Sequence, residues 1–271
     1  MKYRILLSSL CLLICAATIQ AQTKPANEKI FSLGIIRELQ SKELNETRTL
    51  NIYLPEGYHT DSSYPVIYLL DGSADEDFIH VVGLVQFYTF PWVDLLPKSI
   101  VVGIANVDRR RDFTFPTTIE KDKKDFPTTG GSERFIRFIE SELQPHINQS
   151  FKTNGNKMLI GQSLGGLLAT EVLFKKPALF TQYMIVSPSL WWDKESLLNL
   201  PLTTAGNNPV VYIAVGEEGK IMEEDAKHLF EKLKTAFGDL HLRLDFITGK
   251  KHANIFHQAV SNGFEFLGKK N

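Results

Sequence analysis

The segment that most constrains this chain is Gly161-Gln162-Ser163-Leu164-Gly165, because its two flanks admit few folds. Residues 157–160, Lys-Met-Leu-Ile, read as a short buried strand, and residues 166–174 read as a helix. A G-x-S-x-G between strand and helix is a nucleophile elbow, a turn so sharp that its serine is driven toward strained backbone angles. Side chains at Gly161 and Gly165 are expected to collide with the adjoining strand and helix. Such a turn carries Ser163 Oγ to the start of a helix, where free N–H groups face any developing negative charge. The plainer alternative is a glycine-rich turn that happens to hold a serine, and the strand and helix on either side weigh against it.

The rest of the chain fits the same architecture. Residues 31–39 and 47–54 are β-like, the second alternating as Leu50, Ile52 and Leu54, and no helix separates them. Residues 65–70 and 99–105 are continuous apolar runs, as expected of central strands buried on both faces. Residues 180–187 and 209–215 are strand-like, and Leu240, Leu242, Leu244 and Phe246 alternate as another strand. Helices are predicted at 132–147, 222–237 and 252–267. Strands alternating with helices predict an α/β fold: a mostly parallel central sheet with an antiparallel start and helices on both faces. The segment 108–130, with Arg109, Arg110, Arg111, Pro116 and Pro127, reads as neither helix nor strand, and so long a loop is usually functional or mobile.

A serine hydroxyl needs a base within hydrogen-bond reach, and in folds with this elbow the acid and then the histidine follow in chain order. Of the four histidines downstream, His228 sits among charged residues of a helix, His241 opens a strand away from its leucines, and His257 lies within a helix. His252 alone follows directly on a strand end, where catalytic groups gather in open α/β sheets. It is the predicted base. Glu217 and Glu218 follow the strand at 209–215; Glu218 is preferred as the acid, Glu217 is the alternate and Asp193 the next candidate. A solvated charged turn is the competing reading for both glutamates. One oxyanion donor is predicted at the Leu164 N–H, and the second at Gly72 or Ser73 after the strand at 65–70. Asp71 reads as a structural turn residue. Trp191 and Trp192 could wall an aromatic or sugar-like group, although core packing is expected of at least one. Arg109 could clamp an anionic substrate, while Arg111 and Asp112 read as a structural ion pair.

Residues 64–72, 131–147, 161–166, the stretch Ser187-Pro188-Ser189-Leu190-Trp191-Trp192 and His252 together resemble the family named Putative esterase. That family groups enterochelin (ferric siderophore) esterases with esterase D-like and feruloyl-esterase-like enzymes of the α/β-hydrolase superfamily, and the resemblance runs from about Glu46 to the C-terminus. It implies an α/β-hydrolase fold and a serine acyl-enzyme mechanism without a metal or other cofactor, with Ser163 as nucleophile and His252 as base. Gln162 stands where the esterase D branch usually has histidine, which argues against an S-formylglutathione hydrolase role. The expected function is a serine carboxylesterase acting on a small-molecule ester, of siderophore or hydroxycinnamoyl type. Its rivals are a small-peptide serine hydrolase and a non-catalytic ligand-binding protein on the same scaffold. Only 55 residues separate Ser163 from Glu218, too few for a large cap domain, so the 108–130 segment is the one predicted lid.

The N-terminus adds a compartment. Lys2 and Arg4 precede an apolar run over residues 5–19, and Ala21 closes a small-residue cleavage site: residues 1–21 read as a signal peptide, with an apolar core short for a membrane span. Cys11 and Cys15 are preceded by Leu10 and Ile14, where lipid attachment wants a small residue. Cleavage leaves residues 22–271 as one domain without cysteine, so its core must hold by burial alone. With Lys2 and Arg4 gone, 28 basic residues face 31 acidic ones, a balance that argues against nucleic-acid or acidic-membrane partners. The seven histidines form no H-x-H or H-E-x-x-H pair, so no metal site is predicted. The expected product is an exported periplasmic or secreted protein with no stable membrane insertion.

Overall fold

The apolar run Tyr-Pro-Val-Ile-Tyr-Leu forms a central strand, β3 (Tyr64–Leu69), buried along its length except at Pro65. The computed structural model describes residues 29–202, 209–237 and 242–268. Seven further strands flank β3: β1 (Ile35–Ser41), β2 (Glu46–Tyr53), β4 (Ile100–Ile104), β5 (Thr153–Gln162), β6 (Gln182–Val186), β7 (Val210–Gly216) and β8 (Leu242–Ile247). The sheet order is β1-β2-β4-β3-β5-β6-β7-β8. β1 pairs β2 and β2 pairs β4 antiparallel, and every later pairing is parallel. This is the α/β-hydrolase arrangement, with the predicted antiparallel start.

The helices are α1 (Phe78–Tyr88), α2 (Arg109–Phe113), α3 (Glu120–Asp125), α4 (Ser132–Phe138), α5 (Gln144–Ser150), α6 (Leu164–Lys175), α7 (Lys220–Phe237) and α8 (Phe256–Gly268). Apolar side chains of α4, α5, α6 and α7 pack one face of the sheet, and those of α1 and α8 pack the other. Two apolar layers on a sheet buried from both sides explain why the central strands are continuous rather than alternating. The described residues from Leu33 onward form one compact unit. Among the described residues no helix is long and apolar enough to cross a membrane. The predicted signal at 1–21, His241 and Leu240 lie outside the described residues.

Several expectations about elements need correction. The helix predicted at 132–147 is two α-helical pieces joined by a π-turn at Ile139–Leu143. Pro145, near the start of α5, lacks the N–H that a regular helix would use, and the wider turn absorbs the defect. The 108–130 segment contains α2 and α3, so it is not loop throughout. Asp108 starts α2 by accepting the Arg111 N–H (3.0 Å), and a buried Arg48–Asp112 ion pair ties α2 to β2. Arg111 completes that network on Asp112 and Glu46 (2.7 and 2.6 Å). α3 buries none of its residues, so only the part around it is free of the core. α1, which crosses from β3 to β4, was not anticipated, because Phe78, Val81, Val82 and Val85 are interspersed with Ile79 and Leu84 and give little one-sided pattern. The last helix begins at Phe256, not at 252. Along β8, an edge strand, the alternation fails at Phe246, which is exposed.

Candidate active site

Six parallel strands end at one edge of the sheet, and the predicted site residues sit on the segments that leave them. β5 ends at Gln162 and α6 starts at Leu164, so a single residue makes the whole strand-to-helix reversal. Ser163 adopts φ +60° and ψ −119°, a region that an L-residue occupies only where the surroundings impose it. Its N–H donates to the Val186 carbonyl (3.0 Å), and its own carbonyl accepts from Leu167 (2.9 Å) and Ser189 (3.0 Å). Because Leu167 makes the first intrahelical bond, the Leu164 N–H has no acceptor within the helix. The glycines divide the steric work differently from expectation. A Cβ on Gly161 would lie 2.4 Å from the Gly165 carbonyl oxygen, and one on Gly166 would lie 2.9 Å from Pro188 Cα. At Gly165 the nearest atom is 3.4 Å away, ordinary contact, so crowding falls on Gly161 and Gly166.

Glu218 and His252 come together across 34 positions of sequence. His252 Nδ1 lies 2.6 Å from Glu218 Oε2. Glu218 Oε1 accepts from Ser187 Oγ (2.5 Å) and the Gly216 N–H (3.0 Å). The Glu218 side chain is 2% exposed and that of His252 46%. Burial pushes the Glu218 carboxyl up, but hydrogen bonds from His252, Ser187 and Gly216 outweigh it and hold the group below its ordinary value. An ionised Glu218 is acceptor-only, so His252 Nδ1 donates and its Nε2 carries a free lone pair.

Glu217, the alternate acid, does not meet the imidazole. Its carboxylate accepts the Gly249 N–H (2.9 Å) and its N–H donates to the Lys250 carbonyl (2.7 Å), bracing the loop that carries His252. That loop passes so close to β7 that a Cβ on Gly216 would lie 2.3 Å from the Lys250 carbonyl oxygen. Gln162 fixes the loop from the other side through its amide, which donates to the His252 carbonyl (2.6 Å). Among the described residues, Ser163 Oγ has one side-chain hydrogen-bond partner, Ser189 Oγ at 3.3 Å, and its bond to His252 is not closed. Catalytic hydrogen bonds of this kind are commonly long until substrate tightens them.

Four other predicted roles change or narrow. The Gly72 N–H is committed to the Ile104 carbonyl (3.0 Å), because β3 and β4 stay in contact past the strand end; a Cβ on Gly72 would lie 2.4 Å from Gly103 Cα. Of the predicted pair only the Ser73 N–H is free of a backbone partner; it donates to Glu76 Oε2 at a loose 3.4 Å, a bond that an oxyanion would have to replace. Arg109 is not free to clamp a substrate: its guanidinium binds both oxygens of Asp71 (2.6 and 2.9 Å) and the Gln162 carbonyl (3.2 Å). Asp71, at φ +52°, is the structural turn residue expected. Trp192 is buried and donates its indole N–H to the Phe115 carbonyl (2.9 Å), so it belongs to the core, while Trp191 is 40% exposed. Asp193 is no triad acid. It accepts from Thr118 N–H (2.6 Å), Thr118 and Thr117 hydroxyls (2.7 and 3.1 Å) and Ser196 (2.7 Å), fastening the 108–130 segment.

Sequence reasoning gave Ser187, Ser189 and Asn51 no part in the site. Ser187 and Ser189 follow β6, next to the elbow strand, so the rule that ligands gather at carboxyl strand ends could have flagged both. Asn51, whose amide donates to the Gly72 carbonyl (2.8 Å), sits inside an apolar strand and carried no such signal. The ring nitrogens of His257 and His80 lie 2.7 Å apart, and His228 is exposed, so neither downstream histidine competes with His252. No cluster of three or more metal-ligating side chains occurs among the described residues.

Comparison with known proteins gives this geometry a family. The model of the family described as Putative esterase matches residues 41–251. The ferri-bacillibactin esterase of Bacillus subtilis (strain 168) is 31% identical over 258 residues, covering 85% of this chain and 88% of that protein. Among solved structures, a BES protein from Bacillus cereus superposes with a TM-score of 0.76 at 30% identity, covering 90% of this chain and 98% of the other. An IroE-like serine hydrolase from Shewanella oneidensis gives 0.75 at 31% identity, covering 87% and 80%. The match of the family model to most of the chain, on an α/β-hydrolase sheet, places this protein in the Putative esterase family and makes it a carboxylic ester hydrolase.

Proposed function

We propose that this protein is an exported serine esterase that cleaves siderophore-type esters through an acyl-enzyme formed on Ser163, with His252 as base and Glu218 as its orienting acid. The observation that carries the reading is the 2.6 Å contact between the buried Glu218 carboxylate and His252 Nδ1, the His252 loop being tied to the elbow by Gln162. Siderophore-type substrates are favoured by the similarity to the ferri-bacillibactin esterase. Export rests on the N-terminal residues alone.

In this mechanism Ser163 Oγ attacks the ester carbonyl carbon while His252 Nε2 takes its proton. The carbonyl oxygen becomes an oxyanion and accepts from the Leu164 and Ser73 N–H groups. Glu218 stabilises the imidazolium through Nδ1–H without itself taking the proton. The C–O bond to the leaving alcohol then breaks, and His252 returns the proton to that oxygen. Water repeats the attack on the acyl-enzyme and releases the acid and free Ser163.

The test is hydrolysis of an ester panel containing a siderophore ester, a hydroxycinnamoyl ester and short acyl esters, followed with wild type and Ser163→Ala. The expected result is highest kcat/KM on the siderophore ester and none above background for the variant. A hydroxycinnamoyl preference would replace the substrate class, and full activity in Ser163→Ala would remove the mechanism. Export is checked by finding cleavage after Ala21 in protein recovered outside the cytoplasm.

A further inference from the structure

Ser187 is held in a conformation that costs it energy. It stands one residue past the end of β6 with φ +42°, in the left-handed region that glycine enters freely and a residue with a Cβ does not. Its N–H donates to the Ala214 carbonyl (2.7 Å), which locks the backbone there, and it is fully buried. The buried hydroxyl has one acceptor: Glu218 Oε1, 31 positions further on, at 2.5 Å.

That contact completes a three-point grip on the carboxylate. Oε1 takes Ser187 Oγ–H and the Gly216 N–H, and Oε2 is left to His252. The neighbouring acids do not share the work. Glu223 of α7 accepts the N–H groups of Glu218 and Gly219 (3.1 and 3.0 Å), and Glu217 is turned onto Gly249. Ser187 is therefore the side-chain donor that fixes which oxygen of Glu218 faces the imidazole. A glycine would relieve the backbone but give up the hydroxyl.

We propose that Ser187 is a positioning residue for ester hydrolysis: its hydroxyl holds the rotamer of Glu218 so that Oε2 stays on His252 Nδ1. This rests on the Ser163–His252–Glu218 reading. Ser187 touches no reacting atom, and its effect on turnover is transmitted wholly through Glu218.

The test is a double-mutant cycle in the full chain with p-nitrophenyl butyrate as probe, combining Ser187→Gly with Glu218→Ala. Ser187→Gly should lower kcat about tenfold or more, the loss of one hydrogen bond to a charged group, with KM little changed. Its thermal midpoint should lie at or above that of Ser187→Ala, since both lose the hydroxyl but only glycine tolerates the +42° angle. In the Glu218→Ala background the same substitution should change kcat by less than about twofold, because nothing remains to position. Ser187→Ala, which keeps a Cβ but no hydroxyl, should match Ser187→Gly in kcat, and it carries the cycle if the glycine variant does not fold. Equal losses in both backgrounds, no loss at all, or full activity in Ser187→Ala would each overturn the assignment. If wild type neither turns over the probe nor labels with a fluorophosphonate, the esterase reading itself fails and takes this inference with it.

Discussion

Glu218→Gln is the perturbation whose outcome the geometry fixes most tightly. Oε1 of Glu218 accepts two donors, Ser187 Oγ–H and the Gly216 N–H, whereas Oε2 faces a single ring nitrogen, His252 Nδ1. In glutamine the amide oxygen is drawn to the side with two donors, and the NH2 group is left pointing at the imidazole. A donor there forces Nδ1 to accept, which moves the ring proton to Nε2. That nitrogen then cannot take the Ser163 proton. The tautomer is wrong even though the fold is intact, and the same substitution logic in serine proteases costs about 10⁴ in kcat, equivalent to about 5 kcal/mol of barrier. Because His252 is half exposed, so that water can partly substitute for the lost orienting contact, we expect the loss here to lie between about 10² and 10⁴, in kcat rather than KM. The assay is steady-state hydrolysis of a short acyl ester at neutral pH, with circular dichroism to verify folding. Glu217→Gln, which still offers an oxygen to the Gly249 N–H, should stay within about threefold of wild type. A Glu218→Gln enzyme within threefold of wild type, or a Glu217→Gln enzyme equally impaired, would refute the reasoning.

Other parts of the molecule give equally definite expectations. Asp225 of α7 is buried, its Oδ2 without a hydrogen-bond partner among the described residues, and burial, then the nearby charges of Glu195 and Glu224, push its carboxyl up to about 6. A raised folded value means that the folded state holds the proton more tightly, so this stabilising contribution is present at low pH and lost as pH rises through about 6. Asp225→Asn should therefore raise the thermal midpoint at pH 8 and leave it nearly unchanged at pH 4; equal shifts at both would contradict the assignment. Asp112→Ala leaves Arg48 buried without its main partner and should cost about 3 kcal/mol in urea unfolding, with a loss under about 1 kcal/mol arguing that Glu46 carries the pair alone. Gly161→Ala drives a Cβ to 2.4 Å from a backbone oxygen and should abolish activity and soluble folding. Gly83→Ala, on an exposed position of α1 with nothing within 4 Å, should stabilise by about 0.5–1 kcal/mol in the same unfolding assay.

The elements legible in the sequence were those whose signal is local. Strands such as β3 and β4 announce themselves as apolar runs because both faces are covered, and the elbow is written in five consecutive residues. His252 could be picked from four histidines because it alone follows a strand end directly. What stayed hidden depends on partners distant in sequence. Nothing near Gly72 reveals that its N–H is spent on Ile104, nor near Arg109 that Asp71 and Gln162 already hold it. Trp191 and Trp192 are adjacent and chemically alike, yet one is core and the other surface, decided by the Phe115 carbonyl on a separate segment. The choice between Glu217 and Glu218 turned on a one-residue difference in a turn, which only the course of the 248–254 loop resolves. The 108–130 segment looked like a loop because its helices are short and its anchors, Arg48 and Asp193, lie outside it.

The central claim is that Ser163 is the nucleophile of an acyl-enzyme, and the most direct test is to trap it. Purified protein would be treated with one equivalent of a fluorophosphonate, and the adduct mapped by peptide mass spectrometry while ester turnover is followed in parallel. The account predicts a single modification on the peptide containing Ser163, with turnover falling in proportion to labelling and no adduct in Ser163→Ala. Labelling of another residue, or full turnover in protein completely modified at Ser163, would contradict it.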